Sequence, residues 1–541
     1  MHLTRSPLSA AQHYLLKDIQ SVRLRNGVRF VTLGIALVVG IWIIYFLRVA
    51  IAYPYPLEYR EGAQQVLTKL LLARKNPFSL ENQPLGMNNY GILYSLTALP
   101  LAAVFGNTLL VHRIVTLVFL LLCSLLVFWT IFKGIQDTGL AIVCGEMVMV
   151  ALAALGRLGA FPVSMGMFLF LAAILIPFNR HFDRAGLVLS DVLCLLAFYA
   201  KPYFLLALGI VATYLFLFAS KKKALIYGLF FAILFGIVFF FVRAILPLYF
   251  LDVIVSNLTQ AHSVGPAPAF LTLEELCKEF CPGLAVTAAV LIAGWPSRSS
   301  EVTNAKGTVP PGILTALDRP LLAMRFNYLA YTCICGLLAF TLILGANEDY
   351  RGNDIAYSYQ LVLVPFCMWL FRELKPRSRL SLILVPVLLA NLVLLCLIRF
   401  SPNDLSQLRE KTKGWERLYA YVDSSNRILN SPEIASEMLR RGLWPVDSGQ
   451  TEYYYWIRDC PIDGWLGPSC NVVEKDGEQY LDSIQAAVAS RYYDYVIATN
   501  EWALPHDQNL ISRNYEETKV ISIAMPLTQQ SWQVVIWERL K

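Results

Sequence analysis

Long apolar runs recur along this chain as far as position 400, and they leave few ways for it to fold. Eleven can be distinguished: 28–52, 108–132, 139–156, 161–178, 186–200, 202–219, 224–250, 284–297, 326–345, 356–371 and 380–399. Crossing roughly 30 Å of hydrocarbon takes about 20 helical residues, because in lipid the backbone has only itself to hydrogen-bond with. Two runs, 186–200 and 284–297, are short and fit half-spans or a locally thinned bilayer. Charged residues make up 15% of the chain, hydrophobic ones 57%, and mean hydropathy is +0.53. Soluble domains carry about 25% charge, so a soluble multidomain enzyme is excluded. So is a disordered chain, which needs low hydrophobicity. The expected fold class is a polytopic α-helical membrane protein of about 11 transmembrane helices.

Charge sets the orientation. With residues 1–27 as a cytoplasmic N-terminal segment, the inside segments carry eighteen Lys and Arg residues, although most of them are very short. Lys221, Lys222 and Lys223 form the densest group. This is the positive-inside bias, and it makes an odd number of spans end outside. The first run is long and follows 27 polar or mixed residues, so it is expected to stay as a span and not be cleaved as a signal peptide. Residues 28–400 then form the transmembrane domain, and 401–541 an extracytoplasmic α/β domain. The last segment differs in kind, with fourteen Lys/Arg against twenty Asp/Glu. Strand-like stretches (Tyr493–Thr499, Lys519–Ala524, Gln533–Trp537) alternate there with helix-like ones (Pro432–Arg441, Leu481–Arg491). Seven cysteines fall inside the runs; the pairs Cys277/Cys281 and Cys460/Cys470 fall on the expected outside, which suits an oxidising compartment. Cys460–Cys470 flanks a Pro/Gly-rich loop and reads as a disulfide candidate. An i,i+4 pair such as Cys277/Cys281 often misses disulfide distances on a helix.

Candidate chemistry concentrates in the first outside loop, 53–107, which is too long for a mere connector. It opens with Leu57-Glu58-Tyr59-Arg60-Glu61-Gly62 at the end of the first span. Two carboxylates three residues apart share one face of a helix, here at the membrane surface beside Arg60. The same pair also reads as a helix N-terminal charge complementing the macrodipole. An amphipathic stretch (Val66, Leu67, Leu70) follows, then Asn76-Pro77-Phe78, Asn88-Asn89-Tyr90-Gly91 and an apolar stretch, 92–105, that reads as interfacial or re-entrant. Further cations stand at outer span ends: Arg113, Arg157, Lys201, Arg243 and Arg351. Each also reads as a snorkelling or topology charge. Lys201, between two apolar runs and without an acidic neighbour, most needs an anion.

The order of these elements resembles the GT-C superfamily of integral-membrane glycosyltransferases, which includes the protein O-mannosyltransferases and the lipid A aminoarabinose transferase. Leu57–Gly62 with Tyr90-Gly91-Ile92-Leu93-Tyr94 resembles an uncharacterised bacterial branch with an acidic-aromatic-x-acidic-Gly signature. Ala200-Lys201-Pro202-Tyr203 resembles that group's Thr-Lys-Pro-like element. Asp354 to Pro365, with Tyr357, Tyr359 and Gln360, resembles its late outside loop. Many members carry adjacent acids in the first loop; here Tyr59 and Arg60 intervene, which leaves open which acid is the base.

The resemblance implies a glycosyltransferase in the cell (inner) membrane. It would move a hexosyl or pentosyl group from a polyprenyl-phosphate-linked donor to an extracytoplasmic lipid, glycan or protein acceptor. Membrane lipids are the other expected partner, and nucleic acid is not. Glu58 is expected as the base, with Glu61 as a second acid binding acceptor or metal. Arg60, Asn89, Tyr90, Arg113, Arg157, Lys201, Arg243, His262, Arg351, Tyr357, Tyr359 and Gln360 are the candidate substrate ligands. A lone loop histidine such as His262 also reads as a solvated polar residue. A divalent cation stays open as a cofactor, since some members use one and others do not. The tail aromatics, Trp532 and Trp537 among them, read either as an ordinary core or as a sugar-stacking surface. Glu146 and Asp191 lie inside apolar runs, and such acids support a different class, a transporter or flippase of a lipid-linked sugar or small solute. A membrane-embedded scaffold without activity is the third reading.

Overall fold

The computed structural model describes residues 22–153, 158–257, 379–400, 412–451, 454, 470–499, 508–524 and 531–541. The expected spans 284–297, 326–345 and 356–371 lie outside these residues, as do Arg157, His262, Arg351, Tyr357, Tyr359, Gln360, Cys277, Cys281 and Cys460.

The other eight apolar runs coincide with helices. They are α1 (Val22–Ala52), α4 (Leu109–Ile135), α5 (Thr138–Ala153), α6 (Val163–Asn179), α7 (Arg184–Ala200), the stretch Pro202–Ala219, α9 (Lys221–Ile245) and α10 (Arg379–Arg399). Pro202–Ala219 begins as a 3-10 turn, continues as α8 (Leu206–Tyr214) and ends as a π turn, Leu215–Ala219. Caps mark the ends. Thr108 accepts from the Val111 amide, Asp183 from Gly186, and Ser220 from Lys223. Asn26–Ala52, Leu109–Ile135, Pro202–Ala219 and Lys221–Ile245 are long and apolar enough to cross a bilayer. On α9, Leu225, Leu229, Ile233, Ile237 and Phe240 are all more than half exposed, as are Phe30, Leu37, Val38, Ile41 and Ile44 on α1. Apolar stripes of that size cannot face water in a soluble monomer, so they are the lipid-facing surface of a membrane protein. The inner faces pack α4 against α5 and α6, α6 against α7, and α10 against α5 and α1. Cys123, Cys144, Cys194 and Cys396 are buried there without a bridge.

The first loop carries α2 (Glu61–Leu72) and α3 (Leu93–Phe105), packed on one another. Val66 and Leu70 of α2 bury themselves against Leu439 of the C-terminal part. Asn76 staples the loop down. Its Nδ2 donates to the Ile245 carbonyl (2.8 Å), closing the end of α9, while its Oδ1 accepts from the Phe78 amide (3.0 Å). Asn257 Nδ2 donates to the Asn89 carbonyl at 2.8 Å. Gly91 passes so close to the end of α7 that a Cβ there would fall on the Tyr199 carbonyl; its amide donates to Ala200 O at 3.2 Å.

Residues 412–541 build a sheet of order β1-β2-β4-β3, from β1 (Ile428–Leu429), β2 (Tyr495–Thr499), β3 (Tyr515–Ala524) and β4 (Ser531–Arg539). β1 runs parallel to β2, and the other pairs are antiparallel, with a bulge between Glu517 and Lys519. Alternation along the strands sends Ile497, Ile521, Ile523, Val534 and Ile536 to one face, over Trp415 of the 412–419 helix and Met438 of α11 (Ala435–Arg440). Val496 and Trp537 face the other way, towards Ile484 and Val488 of α12 (Cys470–Ala489) and Ile511 of α13 (Gln508–Asn514). The membrane-proximal loop joins the first of these cores. Tyr55 stacks on Trp415 at 5.8 Å, and Tyr59 meets Trp532 at 5.7 Å. Trp532 and Trp537 are thus packing residues of this domain.

Replacing Gly91 with Ala must push apart two backbone segments, and overpacking of this kind costs about 1–3 kcal/mol. Gly91→Ala is expected to lower the apparent unfolding temperature of the detergent-solubilised protein by several degrees. Gly209→Ala, with nothing within 4 Å of the new Cβ, is expected to leave it unchanged or slightly raised.

Candidate active site at the C-terminal end of the first span

Two acids three residues apart are sent in opposite directions. The helix starts only at Glu61, after Arg60 at its N-cap, so Glu58 precedes it and the two carboxylates do not share a helix face. Here the structure corrects the sequence-based expectation. Both are buried, Glu58 at 5% exposure and Glu61 at 0%.

Glu61 turns inward to Arg113, one turn into α4. Arg113 Nε donates to Glu61 Oε1 (2.9 Å) and Nη2 to Oε2 (2.7 Å), with both side chains at 0% exposure. The Leu57 amide donates to Oε2 (2.7 Å) and the Ala160 amide to Oε1 (2.8 Å). Arg113 also donates to the carbonyls of Tyr53 and Tyr55. Four donors fill the carboxylate, and the guanidinium is spent on four acceptors, so the pair ties α1's end, α2, α4 and the 158–161 turn together. Gly159 makes room for this carboxylate: a Cβ there would lie 3.3 Å from Glu61 Oε1.

Glu58 turns the other way. Its Oε1 accepts from Arg60 Nε, and its Oε2 accepts from the Arg60 amide at 2.7 Å. Burial pushes its carboxyl above the ordinary 4.5; the Arg60 charge opposes this, and the Glu61 charge adds to it. Arg60 continues to Tyr90, whose hydroxyl accepts from Nη1 at 2.8 Å. Its guanidinium lies over Tyr59 (5.1 Å) and Phe161 (5.5 Å). Lys201 reaches the same place from the end of α7, its Nζ 5.1 Å from the Tyr90 ring and 4.6 Å from that of Tyr203. The Gly91–Ala200 contact brings these two chain segments together.

Glu58, Arg60, Tyr90 and Lys201 thus form one cluster. Asn89 borders it, its amide donating to Gln450 Oε1 (2.7 Å) while its buried Oδ1 has no hydrogen-bond partner among the described residues. Arg113 is held apart in the inner pair. Arg243 sits in the last turn of α9, two residues before the carbonyl that Asn76 caps. Among the described residues no group of three or more His, Cys, Asp or Glu is arranged to hold a metal ion. Glu146 and Asp191 lie on different helices, α5 and α7. Glu146 faces Gly40, and Asp191 follows Ser190, whose Oγ lies 3.0 Å from Tyr227 OH.

Sequence reasoning missed Phe161, Asn257 and Gln450, and the C-terminal acids Glu433 and Asp447 that come up against this loop. No local pattern marks them; each arrives from a distant segment.

No family model matches the sequence, and no curated protein matches it. Among solved structures the fold is similar to that of ArnT from Cupriavidus metallidurans, in a crystal structure bound to undecaprenyl phosphate. The TM-score is 0.54 at 10% identity, covering 94% of this chain and 98% of that one. The chain therefore shares the fold of that structure; at this identity the likeness speaks to fold alone.

Breaking one side of a buried ion pair strands the other charge, at about 3–5 kcal/mol. Arg113→Met and Glu61→Leu are each expected to cut the yield of monodisperse protein sharply. The double variant is expected to recover part of it, as size-exclusion profiles of matched preparations would read.

Proposed function

We propose that this protein is a membrane glycosyltransferase that takes a sugar from a polyprenyl-phosphate donor and hands it to an acceptor on the outer side of the cell membrane. The observation that carries the reading is the cluster of buried Glu58 and Tyr90 with half-buried Arg60 and Lys201 at the end of α1, on a GT-C-type fold. The ArnT structure similar to this one holds undecaprenyl phosphate, and we extend that ligand class to this chain. A lipid-borne phosphate rides at headgroup depth, so cations that receive it belong at a span's outer end.

In the proposed reaction the acceptor hydroxyl oxygen attacks the anomeric carbon while Glu58 takes its proton. The bond from that carbon to the phosphate oxygen breaks, and its electron pair leaves with the polyprenyl phosphate. Arg60 and Lys201 meet the developing charge. A carboxyl raised by burial is a better base than an exposed one, and the Arg60 charge opposes the rise and so favours the ionised form. Glu61 and Arg113, first read as a second acid and a phosphate ligand, we assign to bracing: they hold the loop so that Glu58 keeps its place. We place the N-terminus in the cytoplasm and the C-terminal domain outside, following the distribution of Lys and Arg.

A transporter would collect its polar groups near the bilayer midplane. Glu146 and Asp191 are instead on separate helices, α5 and α7, with Glu146 set against Gly40 of α1.

Glu58→Gln is expected to lower the transfer rate about 10²–10⁴-fold while the unfolding temperature stays near that of the wild type. Glucosyl and arabinosyl phosphoryl polyprenol would serve as trial donors with labelled membrane extract as acceptor. Wild-type transfer is expected to fall on acidification, with a midpoint above 4.5 because Glu58 titrates above that value. Full activity in Glu58→Gln would end the assignment. Lys201→Ala is expected to raise the donor KM at least tenfold with less change in kcat, as a donor titration would show.

A further inference from the structure

The C-terminal domain does more than cover the first loop. It presses the 3-10 turn Pro432–Ile434 and the turn at 447–451 against residues 58–62. A Cβ on Gly62 would lie 2.7 Å from the Ala435 Cβ, so the start of α2 touches the start of α11. Gly449, at a φ of +93°, lies close enough that a Cβ there would be 3.1 Å from Tyr59 O and 3.4 Å from the Arg60 Cα. The same Cβ would be 3.3 Å from Pro432, the neighbour of Glu433.

Glu433 is therefore held at this junction, at 0% exposure. Neither of its carboxylate oxygens has a hydrogen-bond partner of normal geometry among the described residues. The surrounding acids are provided for: Glu58 has Arg60, Glu61 has Arg113, and Glu437 has Arg440 and Arg441. No salt bridge to Glu433 occurs among the described residues. Other polar atoms at the same junction, Asn89 Oδ1 and Gln450 Nε2, are buried with hydrogen-bonding capacity unused. Unfilled polar groups gathered from both parts of the chain mark a place built to face something besides the protein.

A buried carboxylate without a cation is costly, and such a group keeps its proton instead. The groups facing Glu433 act accordingly. Burial pushes its carboxyl up to about 7; Ser431 opposes this, and the charges of Asp447 and Glu58 add to it. Asp447 is itself raised by burial, to about 6, with the Gly449 amide opposing at 2.8 Å. Arg60 is the cation of this junction and is engaged with Glu58.

We propose that the C-terminal domain completes the site with a second, proton-holding acid. Glu433 stays neutral beside Glu58, so that one carboxylate charge and not two faces the donor phosphate, and donor affinity falls when Glu433 gives up its proton. Glu433 is a positioning residue here, acting through the charge of the site and not by touching the reacting atoms. This deepens the transferase reading above and rests on it. The sign follows from the direction of the shift. The neutral form prevails below about 7, so affinity is lost as pH rises through that value.

The test uses the full chain in lipid nanodiscs and a polyprenyl phosphate as probe, with its Kd measured between pH 5.5 and 8.5. Wild type is compared with Glu433→Gln and Glu433→Met. The probe's own phosphate titrates alike in all three, so only the difference between proteins is read. Over this window wild type is expected to lose roughly tenfold more affinity than either neutral variant, the equivalent of about one pK unit. Equal losses in all three, with wild type binding the probe, would overturn the role of Glu433 and leave the transferase reading standing. A wild type that binds no probe at any pH would sink that reading and this inference together. Should neither variant fold, Asp447→Asn serves. Removing that neighbouring charge is expected to move the midpoint of the wild-type affinity loss to lower pH, and an unmoved midpoint overturns the proposal.

Discussion

The Glu61–Arg113 pair is the interaction on which the region around the end of α1 depends. Both side chains lie wholly out of water, each at 0% exposure. Isolated, either charge would be among the most costly groups in the chain. Together they are saturated, Glu61 by two backbone amides and the guanidinium, Arg113 by two carbonyls and the carboxylate. The partners come from the end of α1, the start of α2, the second turn of α4 and the turn before α6. Four elements therefore cannot shift independently, and the short segment from Tyr53 to Arg60 inherits their rigidity.

That rigidity separates two acids that look alike in the chain. Glu61 has every acceptor site filled and is held as structure. Among the described residues Glu58 is bound by Arg60, from two residues away, and it sits among aromatic rings beside Lys201. Chemical roles for carboxyls are set by such differences in surroundings, not by residue type. The aromatic faces of Tyr59, Tyr90 and Phe161 hold Arg60 in place while leaving the outer end of the cluster cationic. The C-terminal domain closes the arrangement, with Tyr55 and Tyr59 sunk into its core and Glu433 brought up against the loop.

Much of this frame could be read from periodicity and runs. The run 108–132 became Leu109–Ile135, and 202–219 became Pro202–Ala219 with the same bounds, although its passage through 3-10, α and π turns left no trace in composition. The strand-like stretches of the tail coincide with real strands, Tyr493–Thr499 starting two residues before β2 and the other two lying inside β3 and β4, because alternation of period two needs only one buried face to be visible. The importance of the 53–107 loop was legible from its length and its polar residues. Within it, the division of labour was not. The expectation that Glu58 and Glu61 share a helix face failed because the helix begins only at Glu61, three residues after Glu58, and Arg113 as a phosphate ligand gave way to Arg113 as a brace. Nor did any local pattern mark Gly159, which accommodates a carboxylate from 98 positions earlier.

The amino-acid order by itself determined that this chain lives in a membrane, where its helices run, and which loop carries its unusual charges. Those properties are local: hydrocarbon thickness, backbone hydrogen bonding and side-chain alternation act over a turn or a strand. Only the tertiary structure decided which acid is locked, which cations meet at Tyr90 and which distant carboxyl joins them. Burial, and with it the cost or comfort of a charge, belongs to no residue alone; it exists only once segments far apart in the chain have excluded water from the space between them.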